Sequence, residues 1–214
     1  MRRTKAEAAE TRAAILAAAE QMFFEKGVSN SRLDDIATAA GVTRGAVHWH
    51  FANKTDLFLE LYSAVQLPRI NMLDLEQANE NGCDPLAFIE AAALDWLELL
   101  SKDEHRQRMV TILLRTNFIG DLERVQNAVD QLDAEQTQTL IEMFAKAEGL
   151  SLLNQHWSSA TSAMALKWLM KGLCWEWLLT GTKYNLVELG RPVIKNLFGS
   201  FRRHSSPAGA VKLS

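Results

Sequence analysis

The sequence predicts an all-α protein of about nine helices, with a small three-helix N-terminal domain ahead of a larger helical body. Three observations predict it. Apolar residues recur at spacings of three and four through nearly all of the 214 residues. No stretch shows the β-branched alternation of a half-buried strand. Helix breakers are scarce, with four prolines and eleven glycines.

The elements follow in order. Thr4-x-x-Glu7 is a capping box for a first helix whose stripe of Ile15, Leu16, Ala19, Met22 and Phe23 runs until Gly27. Ser31-x-x-Asp34 offers a cap for a second helix, with Leu33, Ile36, Ala37 and Ala40 on one face and Gly41 at its end. Thr43 stands where an N-cap is needed for a short third helix, in which Val47 and Phe51 point inward. A long fourth helix starts at Asn53 and Asp56 and runs through Leu57, Leu61, Ala64 and Val65 to the polar break at Asn79-Glu80-Asn81-Gly82, kinked at Pro68. Asp84-Pro85 sets an N-cap before a proline at the first helical position, opening a helix to Leu100, and Asp103 begins another reaching Asn117. The last three helices cover about Leu122 to Ala147, closed by Gly149, then Trp157 to Thr180 before Gly181, then Leu186 to Arg203, which Pro192 bends or splits. The expected domains are residues 1–52, residues 53–204 and a flexible polar tail at 205–214.

Composition narrows the function. A net charge of −3 argues against a protein that coats nucleic acid indiscriminately, so any DNA binding must be local. Glu7 and Glu10 interrupt the N-terminus where a secretory signal needs an apolar run. The most apolar stretch, Leu166 to Leu179, contains Lys167, Lys171 and Glu176 and is shorter than the roughly 20 residues that span a bilayer. Cys83 and Cys174 have no metal-ligand spacing. A cytoplasmic protein with no membrane partner is expected. His48 and His50 lack the acid and spacing of a zinc hydrolase, and no nucleophile elbow or phosphate loop occurs. Neither an enzyme nor a protein with a metal or cofactor is expected.

The most informative segment is Leu33 to Phe51, two short helices joined through Gly41-Val42, the shape of a helix-turn-helix. In that unit the second helix enters the major groove of DNA, N-terminal side chains toward base edges. Thr43, Arg44, Gly45 and Ala46 occupy that position. Arginine donates bidentately to guanine, threonine bonds a base or phosphate, and small residues permit close approach. His48, Trp49 and His50 would flank the groove.

The segment Gly41-Val-Thr-Arg-Gly-Ala-Val-His-Trp-His-Phe-Ala-Asn-Lys-Thr-Asp-Leu-Phe58 resembles the signature of the TetR family, and Ile15 to Ala19 with Phe24-x-x-Gly27 is similar to its first helix. The resemblance implies that Thr43, Arg44, Gly45, Trp49 and His50 contact DNA and that Lys54 contacts a phosphate. A solvated helix end is the alternative for Lys54. His48 departs from the pattern, standing where the family commonly has tyrosine. Two body stretches, Arg106 to Arg115 with Phe118 and Met170 to Leu179, resemble the AcrR-like branch that represses multidrug efflux pumps. That implies a repressor released from its operator by a hydrophobic or amphiphilic effector, with control of a catabolic or metabolic operon as the alternative.

Ligand pockets are mostly apolar with a few polar anchors, so Phe88, Asp95, Trp96, Arg115, Asn117, Phe118 and Trp168 are the candidates for the effector. Core packing is the competing reading for the aromatics, a solvated edge for Asp95, and a helix C-terminus for Arg115. The last two helices are apolar around most of their circumference, more than a monomer can bury. Leu169, Gly172, Leu173, Trp177, Val193 and Leu197 are the candidates for a homodimer interface of four helices. Two-fold symmetry would match a palindromic operator.

Overall fold

The computed structural model describes residues 5–64, 82, 84–118 and 120–203. Among the described residues there are nine α-helices, a short 3-10 turn and no strand: α1 (Lys5–Lys26), α2 (Leu33–Ala39), α3 (Arg44–His50), α4 (Lys54–Ala64), α5 (Pro85–Lys102), α6 (Glu104–Arg115), α7 (Glu123–Gly149), α8 (Ser159–Leu179) and α9 (Leu186–Phe201). The expected cap at Thr4, the fourth helix past Ala64 with its Pro68 kink, the break at 79–81, Cys83 and the tail lie outside the described residues. The all-α expectation holds. Two compact units form, one within Met1–Leu67, Leu100–Asp133 and Leu178–Gly181, the other within Pro68–Leu99, Ala134–Trp177 and Thr182–Ser214.

The first unit is organised around α1. Ile15, Ala19 and Phe23 on its apolar stripe are buried against Ile36 of α2, Val47 of α3, Leu57, Phe58 and Leu61 of α4, and Met109 and Ile112 of α6. Phe58 links two ends of this core, its ring 6.1 Å from Phe23 and 6.2 Å from Phe118. Helix α1 stops where Gly27 takes a φ of +80°, a left-handed conformation that returns its N–H to the Phe23 carbonyl at 3.0 Å.

Ser31 corrects the expected capping of α2. The N-cap is Arg32, which makes no side-chain cap. An N-cap must directly precede the first helical residue, and Ser31 is one residue too early. Its hydroxyl turns back and donates to the Gly27 carbonyl at 2.9 Å, sealing the end of α1. One polar cluster ties α1 to α6: the buried Glu20 carboxylate accepts from Arg108 Nε at 2.6 Å and meets His105 Nδ1 at 2.5 Å. Asp103 caps α6 by accepting the Arg106 N–H at 3.0 Å, and that backbone hydrogen bond holds its carboxyl below the usual range.

In the second unit, Phe144 of α7 packs with Phe198 and Phe201 of α9, ring centroids 5.3 to 6.3 Å apart, and Trp157 stands edge-on to Phe201 at 4.9 Å. Helices α5 and α9 lie close because position 190 is glycine, where a Cβ would stand 2.6 Å from Leu97 Cδ1. The ion pairs Arg191–Glu98 and Arg202–Glu90, both 2.7 Å, flank that approach. Three expected boundaries shift. Helix α7 runs through Gly149, the left-handed turn falling at Ser151. Helix α8 begins at Ser159, after a reciprocal cap between Ser158 and Thr161. Helix α9 passes uninterrupted through Pro192 and ends at Phe201.

Candidate nucleic-acid interface

Helices α2 and α3 are joined by a tight reversal. Gly41 has a φ of +67°, its N–H bonds the Thr38 carbonyl at 3.1 Å, and the Val42 N–H bonds the Ala37 carbonyl at 2.9 Å. This paired pattern satisfies the last carbonyls of α2 and needs a residue at ease with positive φ. Thr43 then caps α3 as expected, its Oγ1 accepting the Ala46 N–H at 3.1 Å. Val47 and Phe51 anchor the inner side of α3 in the core. The opposite side is thereby turned out. Thr43, Arg44, Gly45, His48 and Trp49 are exposed, while Ala46 and His50 are half-buried. Trp49 is 73% exposed, and the His50 ring braces it edge-on at 4.5 Å. At Gly45 an added Cβ would come no nearer than 3.9 Å to the Thr43 hydroxyl, so internal packing does not require glycine there.

The polar groups on this face are organised. Arg44 Nε lies 3.1 Å from Asp34 Oδ1, Arg44 Nη1 donates to Asp34 Oδ2 at 3.3 Å, and Nε is also 3.4 Å from His48 Nε2. Sequence reasoning missed Asp34 in this role, although an acid in the first turn of the helix before the arginine was visible. Lys54 behaves differently from its neighbours. Its Nζ donates to the carbonyls of Val28 at 2.7 Å, Ser31 at 3.2 Å and Ser29 at 3.3 Å, clamping the loop between α1 and α2.

The model for bacterial regulatory proteins of the tetR family matches residues 15–61, and that for the C-terminal region of MAATS-type transcriptional repressors matches residues 84–202. The chain belongs to the TetR family. Similar proteins include the transcriptional repressor BepR of Brucella suis biovar 1, 37% identical over 94% of this chain and 97% of that protein. Among solved structures, NalD, the secondary repressor of the MexAB-OprM multidrug efflux pump in Pseudomonas aeruginosa, superposes with a TM-score of 0.79 at 33% identity, covering 92% of this chain and 98% of that one. The SmeT–triclosan complex superposes with a TM-score of 0.77 at 25% identity, covering 95% and 98%.

The effector candidates divide between the two units. In the first unit, Arg115 and Asn117 are exposed and Phe118 packs on Phe58. Arg115 lies 5.8 Å over the Phe24 ring and borders a cleft of about 220 Å³ floored by Phe23 and Ile112. In the second unit Trp96 is buried, Phe88 half-buried, Asp95 exposed and Trp168 65% exposed. Asp95 is thus on a solvated edge. Beside Trp96, burial pushes the Cys174 thiol up to about 12. No three His, Cys, Asp or Glu side chains gather in metal-binding fashion, and no helix is long and apolar enough to cross a membrane, among the described residues.

Of the interface candidates, Gly172 and Val193 are exposed and Leu169, Leu173 and Leu197 half-buried. Trp177 is turned inward: it is 5% exposed, and its indole N–H donates to the Tyr184 carbonyl at 2.8 Å. The reason is helical phase, since Trp168, Gly172 and Trp175 are spaced at i, i+4 and i+7, and position 177 falls off that row. Trp175 and Leu189, exposed apolar residues of α8 and α9, are not among the residues expected at the interface. Spacing from Gly172 was the signal that would have found Trp175.

Proposed function

We propose that this TetR-family chain is a homodimeric repressor of a multidrug efflux operon, released from its palindromic operator by a hydrophobic or amphiphilic ligand. The observation that carries the reading is the exposed row Thr43, Arg44, Gly45, His48 and Trp49 on a capped helix whose other side is locked in the core. Residues 1–52 read DNA, residues 53–204 form the body and residues 205–214 a tail. Ala46 and His50 border the contact, and Lys54 meets a phosphate by exchanging it for carbonyls of the α1–α2 loop. Efflux control is supported by NalD, described as a repressor of a multidrug pump, and effector binding by SmeT, which was solved with triclosan.

Dimerisation is supported by exposed apolar side chains in the second unit, Trp168 and Trp175 on α8 and Leu189 and Val193 on α9. Large apolar side chains left in water are what a partner surface covers. The two recognition helices of a dimer would lie about 34 Å apart, one DNA turn, and a ligand favouring a different spacing would lower operator affinity. Footprinting of the promoter of the adjacent operon tests the whole reading. The expected result is a symmetric protected site that Arg44→Ala weakens and an apolar effector such as triclosan releases. Protection unchanged by either would defeat it.

A further inference from the structure

Asp34 is an acid on the face proposed to meet phosphates, where a carboxylate alone would oppose binding. Both members of the Asp34–Arg44 pair are well exposed, at 57% and 68% of their side chains, so the pair does little for the fold. Its geometry suits another task. The carboxylate engages Arg44 Nε at 3.1 Å and Nη1 at 3.3 Å, and His48 Nε2 lies beside the same Nε at 3.4 Å. Nη2 has no partner among the described residues, so it and the second hydrogen of Nη1 remain as donors for a ligand. That pair of donors matches the O6 and N7 acceptors of guanine. An unrestrained arginine has many rotamers and many phosphates within reach, whereas one held from α2 presents a single edge.

We infer that Asp34 is a positioning residue for base reading: it fixes Arg44 from the neighbouring helix, so discrimination at one base pair belongs to the Asp34–Arg44 pair. The inference rests on the reading that α3 enters the DNA groove. Duplexes selected by wild-type protein from randomised DNA serve as the probe, together with their single-base-pair variants. Binding is compared for wild type, Asp34→Ala, Asp34→Asn, Arg44→Ala and the Asp34→Ala/Arg44→Ala double variant. Arg44→Ala should lower discrimination at one base pair per half-site on the order of 10- to 100-fold. Asp34→Ala should lower it at that same base pair by about 2- to 10-fold, with Asp34→Asn intermediate and unchanged melting in both. On the Arg44→Ala background, Asp34→Ala should change nothing further. Wild-type discrimination in Asp34→Ala, or an equal loss on both backgrounds, overturns the inference. A wild type that enriches no sequence, or an Arg44→Ala variant that discriminates normally, overturns instead the DNA-reading assignment beneath it.

Discussion

Replacing Glu20 by glutamine should weaken the protein measurably, because this carboxylate is 8% exposed and holds two bases from a helix more than 80 residues away. Arg108 Nε is 2.6 Å from one oxygen and His105 Nδ1 2.5 Å from the other. Breaking a fully buried ion pair costs about 3–5 kcal/mol, mainly because the remaining charge is stranded. Here Arg108 and His105 are 34% and 41% exposed, so water recovers part of their solvation. The loss should therefore be about 2 kcal/mol for Glu20→Ala and about 1 kcal/mol for Glu20→Gln, which keeps an acceptor. For a chain of this size that corresponds to roughly 4–8 °C and 2–4 °C in melting temperature. Melting followed by circular dichroism, at fixed protein concentration and neutral pH, reads it directly. Glu20→Ala on an Arg108→Ala background should cost less than alone, since the two share one interaction. Unchanged melting of Glu20→Ala, or full additivity with Arg108→Ala, would refute the idea that this cluster fastens α1 to α6.

Three further outcomes follow from local geometry. Gly190→Ala should cost about 1–3 kcal/mol by overpacking, since its methyl would meet Leu97 Cδ1 at 2.6 Å and Leu97 is fully buried; chemical denaturation with a wild-type midpoint would contradict this. A Cys83→Ser variant should react negligibly with an aromatic disulfide reagent at pH 8, because a thiol held near 12 is only about one part in ten thousand thiolate there. Urea should release that reactivity, and rapid labelling of the folded variant would count against a buried Cys174. Lys54→Ala should lower thermal stability even without DNA, because three loop carbonyls lose their donor. A normal melt with a flattened salt dependence of operator binding would place the lysine on phosphate alone.

Much of the fold was legible because the information that makes these helices is local. The caps at Thr43, Asn53, Asp84 and Asp103 accept N–H groups two or three residues ahead, and Gly27, Gly41 and Gly181 mark ends by taking positive φ. The outward face of α3 was legible for the same reason, since burying Val47 and Phe51 fixes where Arg44 and Trp49 point. Ser31 shows how narrow that margin is: an offset of one residue moved its hydroxyl from the start of α2 to the end of α1.

By itself, then, the order of residues set where helices start and stop and which side of the short third helix meets solvent, because local caps settle the first and the spacing of apolar residues the second. Tertiary packing alone decided that Glu20 meets Arg108, that the Lys54 ammonium closes a loop 23 to 26 residues earlier and that Asp34 grips Arg44. Each of these depends on how separate helices approach in space. A side chain that reaches across such a gap takes the partner nearest to it there, and sequence spacing carries no record of that distance.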